Sequence, residues 1–296
     1  MKPRHRLAVL CLGGSLAVTG CSNMSQNEWL NQENVGTVVG AAAGILVGSQ
    51  IGGGSGRTAA MLAGALAGGA LGKTLGAKLD QRDREALAVQ TQKALEHAQD
   101  GQVTTWTSDH SGATARIVPV ATETEARQVA VKRTPKVQKV EQLTLLNKPY
   151  QSIKSANLRA APNDNAAKVG GLPTGTRFTA LGRTGNDWIA VGRKGVTIGY
   201  VYAPLVTPAT TATLATSGKT KAQPAPAVDL DTLDVASAKQ QGVDLDAADL
   251  DAAPVQDKVA AKTTCRTLNY SLSQDGQQDQ QTTKACQAAD GAWELI

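Results

Sequence analysis

The sequence predicts a multi-module chain: a glycine-rich helical hairpin followed by a helix, a small all-β module split in two, and a compact β-barrel, joined by disordered linkers. Three observations predict it. Leu, Ile, Val and Phe make up only about a fifth of the 296 residues, the level at which a chain loses the capacity for one large core. Glycine recurs every fourth residue from Gly36 to Gly76, with Ala60 the one exception. Five of the nine aromatic residues fall between positions 150 and 206.

Residues 1–20 read as an export signal. Lys2, Arg4 and Arg6 give a basic start, and Leu7 to Val18 is an apolar stretch too short for an ordinary membrane span. The stretch ends in Val18-Thr19-Gly20-Cys21, which resembles the lipobox of bacterial lipoproteins. That resemblance implies diacylglyceryl transfer to the Cys21 thiol and a membrane-lipid anchor of several acyl chains. A cleaved secretory signal ahead of an unrelated cysteine is the plainer alternative. Ser22, rather than Asp, follows the cysteine, which in the enterobacterial sorting pattern implies the outer membrane. Loss of the three basic residues takes the formal charge from +5 to +2, and export removes the remaining case for a nucleic-acid partner.

With Cys11 discarded and Cys21 acylated, Cys265 and Cys286 remain, and two thiols in an oxidising compartment are expected to pair. His97 and His110 survive processing without a ligand-like spacing, so no metal and no cofactor is expected.

Residues 35–78 carry the glycine ladder: Gly36, Gly40, Gly44, Gly48, Gly52 and Gly56, then Ala60, Gly64, Gly68, Gly72 and Gly76. On a helix this spacing bares a strip of backbone that permits close helix contact, as in small-xxx-small motifs. Each glycine costs roughly 1 kcal/mol against alanine in a helix, so this density must serve packing. Gly52-Gly53-Gly54-Ser55-Gly56 breaks the run, which gives two helices over about 35–51 and 58–78 folded as a hairpin. The pattern resembles the glycine-zipper domains of envelope proteins and implies self-association. Insertion in a bilayer and assembly as a soluble homo-oligomer both remain open.

Residues 79–120 begin with an amphipathic helix through Ala98, with Leu79, Ala86, Leu87, Ala94 and Leu95 on one face. Gly101 ends it, and 103–107 and 113–120 read as strands around a turn at 108–112. Residues 263–296 give a second hairpin, with turns at Asp275-Gly276 and Asp290-Gly291. Together the lipobox, the zipper, Leu79-Asp80-Gln81-Arg82-Asp83-Arg84, the Trp106 hairpin and Cys265 through Trp293 resemble the rickettsial-type seventeen-kilodalton surface antigen family. The resemblance implies a surface or envelope lipoprotein. It also implies that an insertion splits the β module and that a Cys265–Cys286 bridge staples its second half.

Within the insertion, residues 121–149 lack clear periodicity and read as a linker. Residues 150–206 alternate short strands with turns at Asn163-Asp164, Pro173-Thr174-Gly175, Gly185-Asn186-Asp187 and Arg193-Lys194-Gly195, the pattern of a five-stranded barrel. Asn157-Leu158-Arg159-Ala160-Ala161-Pro162, Asp187-Trp188-Ile189-Ala190-Val191 and Gly199-Tyr200-Val201 resemble bacterial SH3-like domains, which implies contact with cell-wall peptides or proteins. Trp188, Tyr200 and Tyr202 are the candidate groove residues, with a core-filling role as the plainer reading. Residues 207–262, rich in Ala, Thr and Pro and then acidic, read as disordered. Contact between that acidic tract and the basic barrel is one further expectation.

The functional expectation is a structural or interaction protein of the outer membrane, periplasmic or surface-exposed, that contacts peptidoglycan or an envelope protein. A binding subunit of a secretion or transport complex is the alternative. No nucleophile–base pair or paired-carboxylate constellation supports an enzyme.

Overall fold

The computed structural model describes residues 55–67, 79–209, 228–245 and 247–296. Helix α1 (Ser55–Ala67) falls in the expected second zipper helix and starts ahead of it. Cys21, the first zipper helix with Gly36, Gly40, Gly44, Gly48 and Gly52, and Gly68, Gly72 and Gly76 lie outside the described residues. Through the buried Leu62 and Leu66, α1 packs on the β module and on helix α2 (Gln81–His97). No described helix is long and apolar enough to cross a membrane.

Helix α2 begins where the sequence offers a cap. Asp80 accepts a 2.8 Å bond from the Asp83 amide, a cap of about 1 kcal/mol. Its apolar face, with Leu87, Ala94 and Leu95, lies against strands β1 (Thr104–Thr107) and β2 (Thr114–Arg133) and against β10 (Val255–Gln274). β10 pairs antiparallel with β2 from Thr114↔Ser273 to Arg133↔Val255, with one irregularity beside Leu268. β11 (Gln277–Gln287) and β12 (Trp293–Leu295) complete this end of the sheet. The two hairpins, separated by the insertion, thus form one sheet, and the Cys265–Cys286 disulfide joins directly opposed residues of β10 and β11.

The linker expectation for 121–149 is corrected here. β2 runs on to Arg133, and β3 (Gln142–Ser152) starts nine residues later. The segment Thr122–Lys132 alternates strictly enough for a strand, but its partner is the far half of β10, more than a hundred residues away in sequence. A two-stranded ribbon therefore projects beyond the helices, where a local reading sees only a polar, charged tract.

The ribbon carries the barrel, built from β3, β4 (Ala156–Arg159), β5 (Lys168–Leu172), β6 (Arg177–Arg183), β7 (Trp188–Arg193), β8 (Val196–Tyr202) and β9 (Val206–Pro208). Lys194 and Gly195, both at positive φ, make the two-residue β7–β8 turn. Short parallel pairings, β2 with β8 and β10 with β3, fuse ribbon and barrel into one sheet. The described residues form three cores: one under α1 and α2, one inside the barrel, and one in the joint between barrel and ribbon.

The disorder expectation for 207–262 is corrected over its described part. Residues 255–262 belong to β10. Residues 228–245 and 247–250 form a strap across the barrel, with Leu230, Leu233, Val243, Leu245 and Ala248 buried in the barrel core. The Asp/Leu repeat reads as acidic and loose, yet its leucines recur because they face a hydrophobic surface that a neighbouring domain supplies.

Candidate ligand-binding and anchoring sites

The barrel aromatics divide by face. Phe178 fills the interior, only 2% exposed. Trp188 and Tyr200 point the other way, into the joint, where Val129, Val259 and Ala261 of the ribbon cover them. The Tyr200 hydroxyl donates to the Gln138 carbonyl at 3.0 Å, and burial pushes its pKa up to about 12. Trp188 and Tyr200 therefore present no open groove, which corrects the ligand-binding reading of both. Tyr202 alone of the three is exposed, with its ring 5.7 Å from Trp188. The plainer core-filling reading anticipates their burial, but the ribbon that supplies the cover was not recognisable in the sequence.

The strap meets the barrel's basic side through directional contacts. Gly171 and Asp244 exchange backbone bonds at 2.8 and 3.2 Å, and Leu230 donates to the Arg177 carbonyl at 2.9 Å. Arg193 donates to the carbonyls of Leu230 at 3.1 Å and Leu233 at 2.9 Å. Asp231 accepts from the Lys194 amide at 2.7 Å and the Thr179 hydroxyl at 2.6 Å. Lys168 and Asp244 form a 3.1 Å ion pair. The acidic tract and the basic barrel do meet.

The Asp80–Arg84 motif finds its purpose at the β1–β2 turn. His110 sits between carboxylates, with Nε2 2.6 Å from Asp80 and Nδ1 2.9 Å from Asp109. The Ser111 hydroxyl donates to the buried Asp83 carboxylate at 2.5 Å, and Arg82 pairs with Asp109. The bonds to Asp80 and Asp109 raise the His110 pKa, while the Asp83 amide and then His110 lower that of Asp80. Asp80, Asp83 and His110 bring potential ligand atoms within 4.8 Å of one another. Each group already has a partner in the turn, so the arrangement clamps the turn to the start of α2.

At the other end of α2, the buried Arg266 caps the helix. It donates to the carbonyls of Ala94 at 3.1 Å, Leu95 at 2.8 Å and Ala98 at 2.7 Å, and pairs with Asp100 at 2.9 Å. A cation at a helix C-terminus is favoured by the helix dipole as well as by the bonds. Asp80, Asp83, Arg82 and Arg266 all lie in the stretches quoted for the surface-antigen resemblance, although sequence alone gave them no role. A residue whose partners lie on another module leaves no local trace.

Two segments of the chain match known protein families. Residues 154–207 match the family model of the bacterial SH3 domain. Those residues carry a bacterial SH3 domain. Residues 1–80 match the YMGG-like Gly-zipper family. The two together point to a membrane-associated protein of the cell envelope. No curated protein and no solved structure matches the chain.

Proposed function

We propose that the chain is an outer-membrane lipoprotein of the surface-antigen type, anchored through acylated Cys21 and self-associated through its glycine zipper. It performs no chemistry of its own. Its β module and ribbon form a mount for the SH3 domain, which contacts peptidoglycan or an envelope protein. The observation that carries this reading is the SH3 domain seated on the ribbon through a dedicated hydrophobic joint of Trp188, Tyr200, Val129 and Val259. A domain bound only by flexible linkers would need no such joint. The barrel also meets the β module directly: the Asn147 amide donates to the Ala288 carbonyl at 3.0 Å, and Gly195 lies against Asp290.

Two experiments test the reading. Metabolic labelling with palmitate should mark the wild-type chain in the outer-membrane fraction, and Cys21→Ser should abolish both label and location. Purified sacculi should co-sediment the non-acylated chain, or else in-cell crosslinking should trap an envelope protein on the SH3 domain. Unlabelled, soluble wild-type protein that neither sediments with sacculi nor crosslinks to a partner would rule the proposal out.

A further inference from the structure

The ribbon separates its charges by face. Along β2 and β10 one residue in two points to the joint side, and that side holds every carboxylate of the paired stretch: Glu123 and Glu125 bind Lys284, and Asp257 binds Arg133 at 2.7 Å. The opposite face is exposed from Gln256 to Lys262 on β10 and from Thr124 to Lys132 on β2. It carries Lys132, Lys258 and Lys262, and none of the three forms an ion pair among the described residues. The register continues this face across further strands. Ala126 lies opposite Lys262, Lys262 beside Thr144 of β3, and Thr144 opposite Arg183 of β6. A hollow of about 310 Å³ opens there, lined by Lys262, Arg183, Thr144, Gln142 and Ala260 among others.

The side chains between the lysines are short or hydrogen-bonding. Ala126, Ala130 and Ala260 leave a flat floor, and Gln128, Gln142, Gln256, Thr124 and Thr144 offer amides and hydroxyls. The strap and the ribbon already cover the strap-side barrel edges and the joint aromatics, whereas this face stays open to solvent. Lys258 and Lys262 stand about 13 Å apart along the strand, and four strands give a width of roughly 14 Å. Arg183 at the edge is held by Asp187 at 2.7 Å, but among the described residues Lys132, Lys258 and Lys262 stand unpaired on a ribbon face without carboxylates, and such cations draw an anionic partner.

We propose that this face binds an anionic glycan chain, with the lysines on its carboxylates, the amides and hydroxyls on its sugar hydroxyls, and the alanine floor under its ring faces. A bilayer surface is the weaker fit, because proteins that lie on membranes sink apolar side chains into the interface and this face exposes no Leu, Ile, Phe or Trp. The inference rests on the envelope reading above and adds a second wall contact, outside the SH3 groove.

The test uses the full non-acylated chain and fluorescein-labelled peptidoglycan glycan strands stripped of stem peptides. Wild type should bind them with an affinity that falls as salt rises. The combined Lys132→Gln, Lys258→Gln and Lys262→Gln variant should bind at least tenfold more weakly with an unchanged melting temperature, and the matching triple Lys→Arg variant should retain binding. Equal binding by wild type and the triple Gln variant would overturn the proposal, as would capture by phosphatidylglycerol vesicles without glycan binding. Intact sacculi separate the two readings: sacculus binding that survives the triple Gln change, with no glycan-strand binding, defeats this face and leaves the SH3 contact standing. Failure of wild type on both probes defeats both.

Discussion

His110 shows how a single side chain ties two elements together and makes their union depend on pH. Its pKa is raised in the fold, so its contribution to stability is complete below the ordinary imidazole value of 6.5 and is lost as pH rises through the folded value. Asp80 and Asp109 are lowered from 3.8, so theirs is present above that value and is lost as pH falls through the folded ones. The clamp is therefore strongest between about pH 4 and 6.5, and a melting-temperature series across pH should decline on the alkaline side. His110→Gln should flatten that decline; an unchanged slope would mean that the clamp does not titrate. Arg266 acts on the same helix without such dependence. Arg266→Ala strands three carbonyls and Asp100, and should cost about 2–4 kcal/mol in chemical denaturation, several times more than Arg116→Ala on the exposed strand face.

Among the elements, the strap makes the sharpest claim. Leu230, Leu233, Val243 and Leu245 each gain about 1.5–3 kcal/mol by burial, enough to order a segment whose composition alone favours disorder. Leu230→Asp should free the strap, seen as rapid proteolysis within 228–250, while 255–274 stays protected by its ladder. Gly170→Ala tests the same contact from the barrel side, because a Cβ there would stand 2.6 Å from the Asp244 carbonyl oxygen and would have to push the strap away. That variant should also speed cleavage, by less than Leu230→Asp, whereas Gly185→Ala meets no atom and needs no left-handed backbone, and should not open the strap. The turns, by contrast, were legible from sequence. Asp275-Gly276 and Lys194-Gly195 both adopt the positive φ angles that two-residue hairpins demand. Glycine and asparagine-like residues announce such turns locally, while a strap announces nothing until its dock is known.

Across the described residues, what the sequence showed was the SH3 domain and the two halves of the β module, and what it hid was their joining. The aromatic cluster marked the SH3 barrel, and the cysteines and the two Trp-bearing segments marked the split module, because those signals lie within short windows. The ribbon did not, because each strand has its hydrophobic residues, Val129 and Val131 or Val259 and Ala261, facing a joint built from the other domain. The same cause misplaced Trp188 and Tyr200 in a groove. The central claim is that the two tracts that resemble linkers form one antiparallel ribbon on which the SH3 domain rides. The direct measurement is in-cell disulfide trapping with Gln128→Cys and Ala260→Cys, which are opposed and exposed, against Gln128→Cys with Gln256→Cys, offset by four residues. Efficient intramolecular trapping of the first pair, with little of the second, is the predicted result. Equal trapping of both pairs, or none of the first, would contradict the ribbon and return these tracts to flexible chain.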